Sequence, residues 1–181
     1  MSKGETRVSK VVGLKGLPPL VQVIPFDFIL AITDPGAAIA FASKAIAKVP
    51  KGNWALLTAV SNVIIQDVGG VGLIAGFTGN HSFGTAATAD STLSGNEIDV
   101  IQSTAYTAVA GITPKTRGTI AAGSLVAAGV IQTNNVTLFD NTAGNLNLNF
   151  NMTVVDASIS ANASVRVRGQ LNLIHAILGD G

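Results

Sequence analysis

The clearest pattern in the chain is a strict alternation of apolar and polar side chains over residues 145–154. The apolar positions are Leu146, Leu148, Phe150, Met152 and Val154, and the positions between them hold Asn145, Asn147, Asn149, Asn151 and Thr153. A period of two residues is that of a β-strand, because successive side chains point to opposite faces of the sheet. The pattern therefore predicts a half-buried strand with one face lined by amides.

The C-terminal segment repeats this alternation. One parity holds Val165, Val167, Leu171, Leu173 and Ile177, and the other holds Arg166, Arg168, Gln170 and Asn172. This pattern predicts a second half-buried strand, whose apolar parity His175 shares. Residues 156–162 lie between the two strands and are short enough for a hairpin-type connection.

Two N-terminal segments also favour extended structure. The first, from Leu20 to Ile32, is apolar but contains Pro25, which favours an edge or bent strand over a helix. The second, from Trp54 to Gln66, is apolar or small on both parities, which predicts a central strand covered on both faces. Both segments add strands to the two that alternate.

Shorter segments complete the expected organisation. Residues 71–77 alternate after a double glycine, and residues 98–101 form another short apolar run, so we expect a strand in each. The Asp34-Pro35-Gly36 sequence is either a turn or the start of a short helix over 35–43, where an Ala-rich run follows. Several strands separated by Gly, Asn, Asp and Ser turns predict an all-β protein, a β-sandwich or barrel-like fold of jelly-roll type.

The chain divides into an arm and a body. Residues 1–19 are basic, show no sustained period and end at Pro18-Pro19, so we expect an extended N-terminal arm. Residues 20–181 are expected to form a single β-sandwich domain. The candidate binding residues of the arm are its basic side chains, Lys3, Arg7, Lys10 and Lys15. The alternative is a terminus with no binding role.

Composition and charge narrow the class of protein. Of the 181 residues, 48% are hydrophobic and only 12% are charged, about half the usual charged fraction of 25%. The formal net charge is +1, which argues against a wholesale nucleic-acid binder. Charge is nevertheless uneven, with +4 over residues 1–51, −4 over 52–165 and +1 over 166–181. No signal peptide and no membrane span are expected.

The residues offer little catalytic chemistry. With no cysteine, the chain has no disulfide, thiolate nucleophile or cysteine-ligated metal. Of its two histidines, His81 lies in an expected loop and His175 on an apolar strand face. The glycines at residues 70–76 are spaced one residue too widely for a dinucleotide-binding loop, and the chain holds no Gly-x-Ser-x-Gly sequence. We therefore expect no enzyme activity, no cofactor and no metal.

One long motif resembles a known family. Residues 83–104 contain the letters G-T-A-A-T-A-D-S-T-L-S-G-N-E and then I-Q-S-T. This run resembles a pattern found in the capsid decoration, or cement, proteins of tailed bacteriophages. Residues 139–150 and 169–180 resemble two later segments of those proteins, and Pro50-Lys51-Gly52 resembles their P-x-G turn. Two positions depart from the pattern: Asn141 replaces a glycine, and Leu148 stands where an aromatic pair is common.

The resemblance implies a structural virion protein, often a homotrimer, that binds and stabilises the shell of the major capsid protein from its outer surface. It implies no catalytic residues, and we expect no contact with nucleic acid or membrane. On this interpretation Lys3, Arg7, Lys10 and Lys15 lie against an acidic capsid surface. The alternatives are another phage component, such as a tail, fibre or head–tail protein, and a carbohydrate-binding β-module, which requires clustered exposed aromatic residues.

Overall fold

The structure is a computed structural model that describes residues 20–69, 72–109, 111–113, 116–119, 132–133 and 136–179. These parts of the chain contain ten β-strands and two single-turn 3-10 helices. The strands are β1 (Leu20–Ile32), β2 (Ala40–Lys48), β3 (Gly52–Asp67), β4 (Thr78–Gly84), β5 (Ile101–Thr107), β6 (Thr116–Thr119), β7 (Gln132–Thr133), β8 (Val136–Asn141), β9 (Asn147–Val154) and β10 (Ala163–Gly179). The 3-10 helices are Gly95–Glu97 and Asp156–Ser158. The predicted all-β class is confirmed.

The strands form two antiparallel sheets. Sheet A has the order β1-β10-β3-β8-β7, with β6 also paired to β3, and sheet B has the order β2-β9-β4-β5. If β6 and β7 are set aside, the eight remaining strands pair from the outside inwards: β1 with β10, β2 with β9, β3 with β8, and β4 with β5. This order is one long antiparallel hairpin rolled into two sheets, which is the jelly roll. The predicted jelly-roll β-sandwich is confirmed.

An aromatic cluster fills the space between the sheets. Phe26 reaches in from sheet A, and Phe83 and Phe150 reach in from sheet B. The ring centroids lie 5.7 Å apart for Phe26 and Phe83 and 5.5 Å apart for Phe83 and Phe150. Both phenylalanines of sheet B are fully buried. Burying each such side chain stabilises the fold by about 1.5–3 kcal/mol, so this cluster holds the two sheets together.

The edge position predicted for β1 and most of the alternation predicted for β10 are confirmed. Strand β1 is the edge strand of sheet A, with Pro25 exposed, as expected for a residue that has no backbone N–H to donate. The apolar parity of β10 is buried from Val165 to Leu173, and its two arginines are exposed. Ile177, predicted on the buried face, is only half-buried, because register shifts against β3 displace the end of β10.

Strand β3 is central, but only one of its faces is covered. It lies between β10 on one side and β8 and β6 on the other, as the apolar run from Trp54 predicts. Val63 and Ile65 are buried on the inner face, whereas Leu57 is 38% exposed on the outer one. The prediction that both faces are covered is therefore wrong for the described residues.

Three connections differ from their predictions. The described residues of 71–77 form turns with one bridge, Leu73 to Ile159, because Gly76 adopts a positive φ of 93° that interrupts a strand. The strand expected at 98–101 begins only at Ile101, since a 3-10 helix precedes it. Residues 156–162 carry the chain from sheet B to sheet A, so they do not close a hairpin.

The Ala-rich run after Asp34 forms a strand. Residues 33–39 are bends and coil, and β2 starts at Ala40 and pairs with β9. Alanine favours helices, but its propensity is a weak preference that tertiary pairing overrides. The side chain of Asp34 accepts a hydrogen bond from the N–H of Gly36 at 2.9 Å, which stabilises the turn alternative.

Candidate docking surface

The segment that carries the family resemblance covers the outer face of β9. The Oδ1 atom of Asn151 accepts a hydrogen bond from the N–H of Thr88 at 2.9 Å. Its Nδ2 atom donates to the carbonyl oxygens of Ala86 and Glu97, each at 3.0 Å. Asn151 is fully buried as a result. The prediction of a half-buried strand is thus wrong on this face, because the amide side chains bind a covering loop instead of water.

Two acidic residues of the motif stabilise that loop internally. The carboxylate of Asp99 accepts hydrogen bonds from the N–H of Thr85 at 2.8 Å and from its hydroxyl at 2.5 Å. Burial raises the pKa of Asp99 to about 7, although the hydrogen bonds from Thr85 act in the opposite direction. The carboxylate of Glu97 accepts from the N–H groups of Ala89 and Ser94 at 3.2 and 3.0 Å. These motif residues serve the fold of the loop.

Asn141, which departs from the family pattern, also has a structural role. Its Nδ2 atom donates to the carbonyl oxygens of Val49 and Pro50, each at 2.9 Å, and its Oδ1 atom accepts from the N–H of Leu146 at 3.0 Å. The residue is buried, so these bonds satisfy its side chain. Asn141 therefore joins the β2–β3 turn to the start of the β8–β9 connection.

The two histidines lie in apolar surroundings on different sheets. His81 belongs to β4, not to the predicted loop, and stacks at 6.0 Å from the ring of Phe150. Neither of its ring nitrogens has a hydrogen-bond partner, and burial lowers its pKa to about 4. His175, on β10, contacts Trp54 with ring centroids 5.6 Å apart, and burial lowers its pKa as well. Both imidazoles are therefore favoured in their neutral form.

The described ranges also bear on metal binding, on membrane-spanning helices and on the predicted arm. No group of three or more His, Cys, Asp or Glu side chains there is arranged to hold a metal ion. No helix in the same ranges is long and apolar enough to span a membrane. The predicted arm residues Lys3, Arg7, Lys10 and Lys15 lie outside the described residues. Their capsid-binding role therefore stays a prediction.

The outward surface of sheet A at its edge exposes aliphatic side chains. We call it the β1 face, and its residues are Val21, Val23, Asp27, Ile29, Arg166 and Arg168. The three aliphatic members are 69%, 54% and 62% exposed in that order. They alternate along β1 with buried Ile24, Phe26 and Leu30. Because monomeric proteins rarely leave large contiguous apolar patches in water, this surface is the candidate site of interaction.

The charges on the β1 face are only partly paired. Arg166 donates from Nε and Nη2 to the two carboxylate oxygens of Asp27 at 2.7 and 2.6 Å. This bidentate pair lowers the pKa of Asp27. Arg168, which lies opposite Asp27 in the register, is exposed; its charge also lowers the pKa of Asp27, but within the described residues it makes no hydrogen bond and no close ion pair. The β1 face therefore has charged side chains in its middle, with one guanidinium that makes no hydrogen bond, and aliphatic side chains on both sides of them.

Comparisons with known proteins place few limits on the function. No protein-family model matches the chain, and no curated protein matches it. It is similar to a solved structure of infectious bursal disease virus, Gx strain, with 11% identity, a TM-score of 0.30, and coverage of 87% of this chain and 42% of that chain. For the Gt strain, the identity is 10%, the TM-score is 0.23, and the coverage is 87% of this chain and 41% of that chain. The chain thus spans less than half of either.

Proposed function

We propose that the protein is a structural component of a virus particle and catalyses no reaction. The observation that carries the proposal is the nested strand order, because the jelly roll is the fold of many viral capsid domains as well as of lectins and cupins. A fold alone does not fix a function, so the side chains must separate these classes.

The described side chains favour a structural protein over a metal-dependent enzyme and over a carbohydrate-binding module. A metal-dependent enzyme of this fold needs converging ligands, whereas His81 and His175 lie on different sheets against aromatic rings. A carbohydrate-binding module needs exposed aromatic residues. Among the described residues, Phe41 is the aromatic residue that is exposed, with 38% of its surface accessible. The β1 face, in contrast, suits contact with another protein.

Within this class we favour a capsid decoration protein. The support is the motif at residues 83–104, whose threonine, aspartate and glutamate positions fix the loop over β9. Such a protein acts as a homotrimer on the outer capsid surface, where it binds the major capsid protein and stabilises the shell. The basic arm adds electrostatic attraction to an acidic shell surface.

A second candidate in the same class is a protein that forms the shell itself. The jelly-roll strand order favours it, because shell domains of this fold assemble with their own copies. Its basic arm, with Lys3, Arg7, Lys10 and Lys15, would then face packaged nucleic acid. The two candidates differ in what the purified chain does alone.

The test begins with purified virus particles from cells that produce this chain. We expect mass spectrometry to detect the chain in the particles, and its absence would overturn the structural role. Stripping it with mild denaturant should leave intact shells, to which the purified chain rebinds. Light scattering of the free chain should then give a trimer mass. If the free chain instead assembles into closed shells under the electron microscope, it is the shell protein.

A further inference from the structure

A concave site that includes Arg168 lies on the outer surface of sheet A. It has a volume of about 310 Å³ and is lined by Asn62, Ile64, Arg168, Gly169 and Gln170. Ile64 pairs with Arg168 and Asn62 with Gln170 in the β3–β10 register, so all four side chains lie on the same side of the sheet. Strands β3 and β10 are close together at this point, where a Cβ at Gly169 would lie 1.9 Å from the carbonyl oxygen of Asn62.

The site presents several hydrogen-bond donors that the fold does not use. The guanidinium of Arg168 carries five N–H donors, and the nearest carboxylate, that of Asp27, already binds Arg166 with both oxygens. The side-chain amides of Asn62 and Gln170 make no hydrogen bond within the described residues. A cation and two amides around a concavity match a carboxylate, which accepts through two oxygens.

Aliphatic side chains and the carboxylate of Asp27, which is paired with Arg166, border the site on the β1 side. Pro25 lies opposite Gln170 and Asp27 opposite Arg168 in the register, and the exposed Val23 and Ile29 flank these two residues along β1. A partner that binds here therefore meets a charged centre with an apolar border. Protein interfaces commonly combine polar contacts of this kind with apolar surface that excludes water.

Charge decides which partner fits. The arm, residues 1–19, holds four basic side chains and one acidic one, and it joins the body at Leu20, the first residue of β1. The sequence that leads into β1 and Arg168 on the neighbouring strand β10 are thus both basic. A two-fold contact centred on Arg168 would place cation against cation, which is unfavourable. An acidic surface of a different protein is complementary to both.

We propose that the β1 face and the adjoining concavity bind an acidic surface of the partner protein. A partner aspartate or glutamate is bound by Arg168, with Asn62 and Gln170 as further donors, and aliphatic partner side chains cover Val23 and Ile29. The inference rests on the proposed function in one respect: it takes the partner to be the major capsid protein.

The first test uses poly-L-glutamate as a probe, which needs no virus. We expect it to shift the backbone amide NMR signals of Asn62, Gly169 and Gln170 in the full-length chain. Arg168→Glu should weaken this binding by about 1.4- to 5-fold, the range that one exposed ion pair supplies. Lys44→Glu is the matched control, because Lys44 is exposed on β2 of the other sheet and the change in charge is the same. Unmoved signals, or equal binding by both variants, would overturn the proposal.

The second test measures rebinding to stripped particles. Arg168→Glu should lower the number of bound copies relative to Lys44→Glu, and equal numbers would overturn the proposed docking surface. If the chain is not found in particles, the proposed function is wrong. The polyglutamate titration still shows whether the site at Arg168 binds carboxylates. If Arg168→Glu changes the oligomer mass in light scattering and polyglutamate moves no signal, the surface is a contact between copies and the proposal is wrong.

Discussion

Asn151 and Thr88 are joined by a hydrogen bond of 2.9 Å, from the backbone N–H of Thr88 to the side-chain oxygen of Asn151, across 63 residues of sequence. Both residues are buried. The bond fixes a loop rich in small residues to the central strand of sheet B. The amide of Asn151, which the sequence pattern places on a polar face, therefore anchors the loop and does not face solvent.

Replacing Asn151 by Ala should therefore destabilise the protein by about 1–3 kcal/mol, the cost of leaving buried polar groups without a partner. Chemical denaturation measures this change, and limited proteolysis should show cleavage within residues 85–97. The matched control is Asn149→Ser on the same face, where the side chain makes only a long hydrogen bond of 3.4 Å. Similar unfolding curves for the two variants would contradict the anchoring role.

Replacing Phe150 by Ala should cost about 3–5 kcal/mol, because it leaves a cavity in the aromatic cluster between the sheets. Phe150 is fully buried, and its ring lies 5.5 Å from that of Phe83. Phe41→Ala, at a position that is 38% exposed, should cost much less. A thermal melt in which Phe150→Ala matches the wild type would show that this residue does not belong to the core.

The buried imidazole of His81 should make the protein less stable in acid. Its pKa is about 4 in the folded state and 6.5 in the unfolded state. The stabilising contribution of the neutral ring is complete above pH 6.5 and is lost as the pH falls to 4. The loss amounts to about 3 kcal/mol. Urea unfolding at pH 7 and pH 4.5 should show a smaller pH effect for His81→Phe than for the wild type; parallel curves would exclude this origin.

Asp99 should make the protein less stable as the pH rises, which is the opposite of the effect expected from His81. Its pKa is about 7 in the folded protein against 3.8 in the unfolded chain, so folding favours the protonated carboxyl. The contribution is complete below pH 3.8 and is lost as the pH rises through 7, a change of about 4 kcal/mol. Asp99→Asn keeps an acceptor for the N–H of Thr85 and removes the charge. We expect its stability to decline less than that of the wild type between pH 5 and pH 8, as measured by urea unfolding.

Deleting residues 2–16 should leave the melting temperature nearly unchanged, because Pro18-Pro19 separate the arm from β1. It should weaken rebinding to stripped particles, and raising the salt concentration should weaken the intact protein more than the deletion variant. Each exposed ion pair contributes only about 0.2–1 kcal/mol, but an oligomer multiplies these contributions. Equal rebinding at low salt would contradict a docking role for the arm.

The sequence predicts those strands whose side chains alternate in polarity. In β9 and β10 one parity is apolar and faces the core, so a period of two is sufficient to place Phe150 and Val167 inside. The covering of Asn151 was not predictable in this way, because the groups that bind it lie 54 to 65 residues away in sequence. Alternation shows which side chains share a face and does not show what lies over that face.

The exposed aliphatic residues of the β1 face could not be located from the sequence, for a related reason. Val21, Val23 and Ile29 are apolar like the residues between them, so the sequence does not show which of them face outwards; in the structure they lie on the outer face of an edge strand. The available signal was an apolar run on both parities together with Pro25, which favours an edge. Arg168 was placed on the polar parity from sequence, but that its guanidinium makes no hydrogen bond within the described residues emerges only when Asp27 is seen to bind Arg166.

The pairing of β1 with β10 determines the order in which the chain can fold. The innermost hairpin, β4 with β5, can close while later residues are still being synthesised, whereas β1 waits for a partner that ends at Gly179. At about 5–20 residues per second, translation leaves β1 unpaired for on the order of 10 s. Pairings this distant in sequence also slow folding after release from the ribosome. During synthesis the apolar edge of β1 is thus a natural substrate for chaperones, and the yield of folded protein should depend on them.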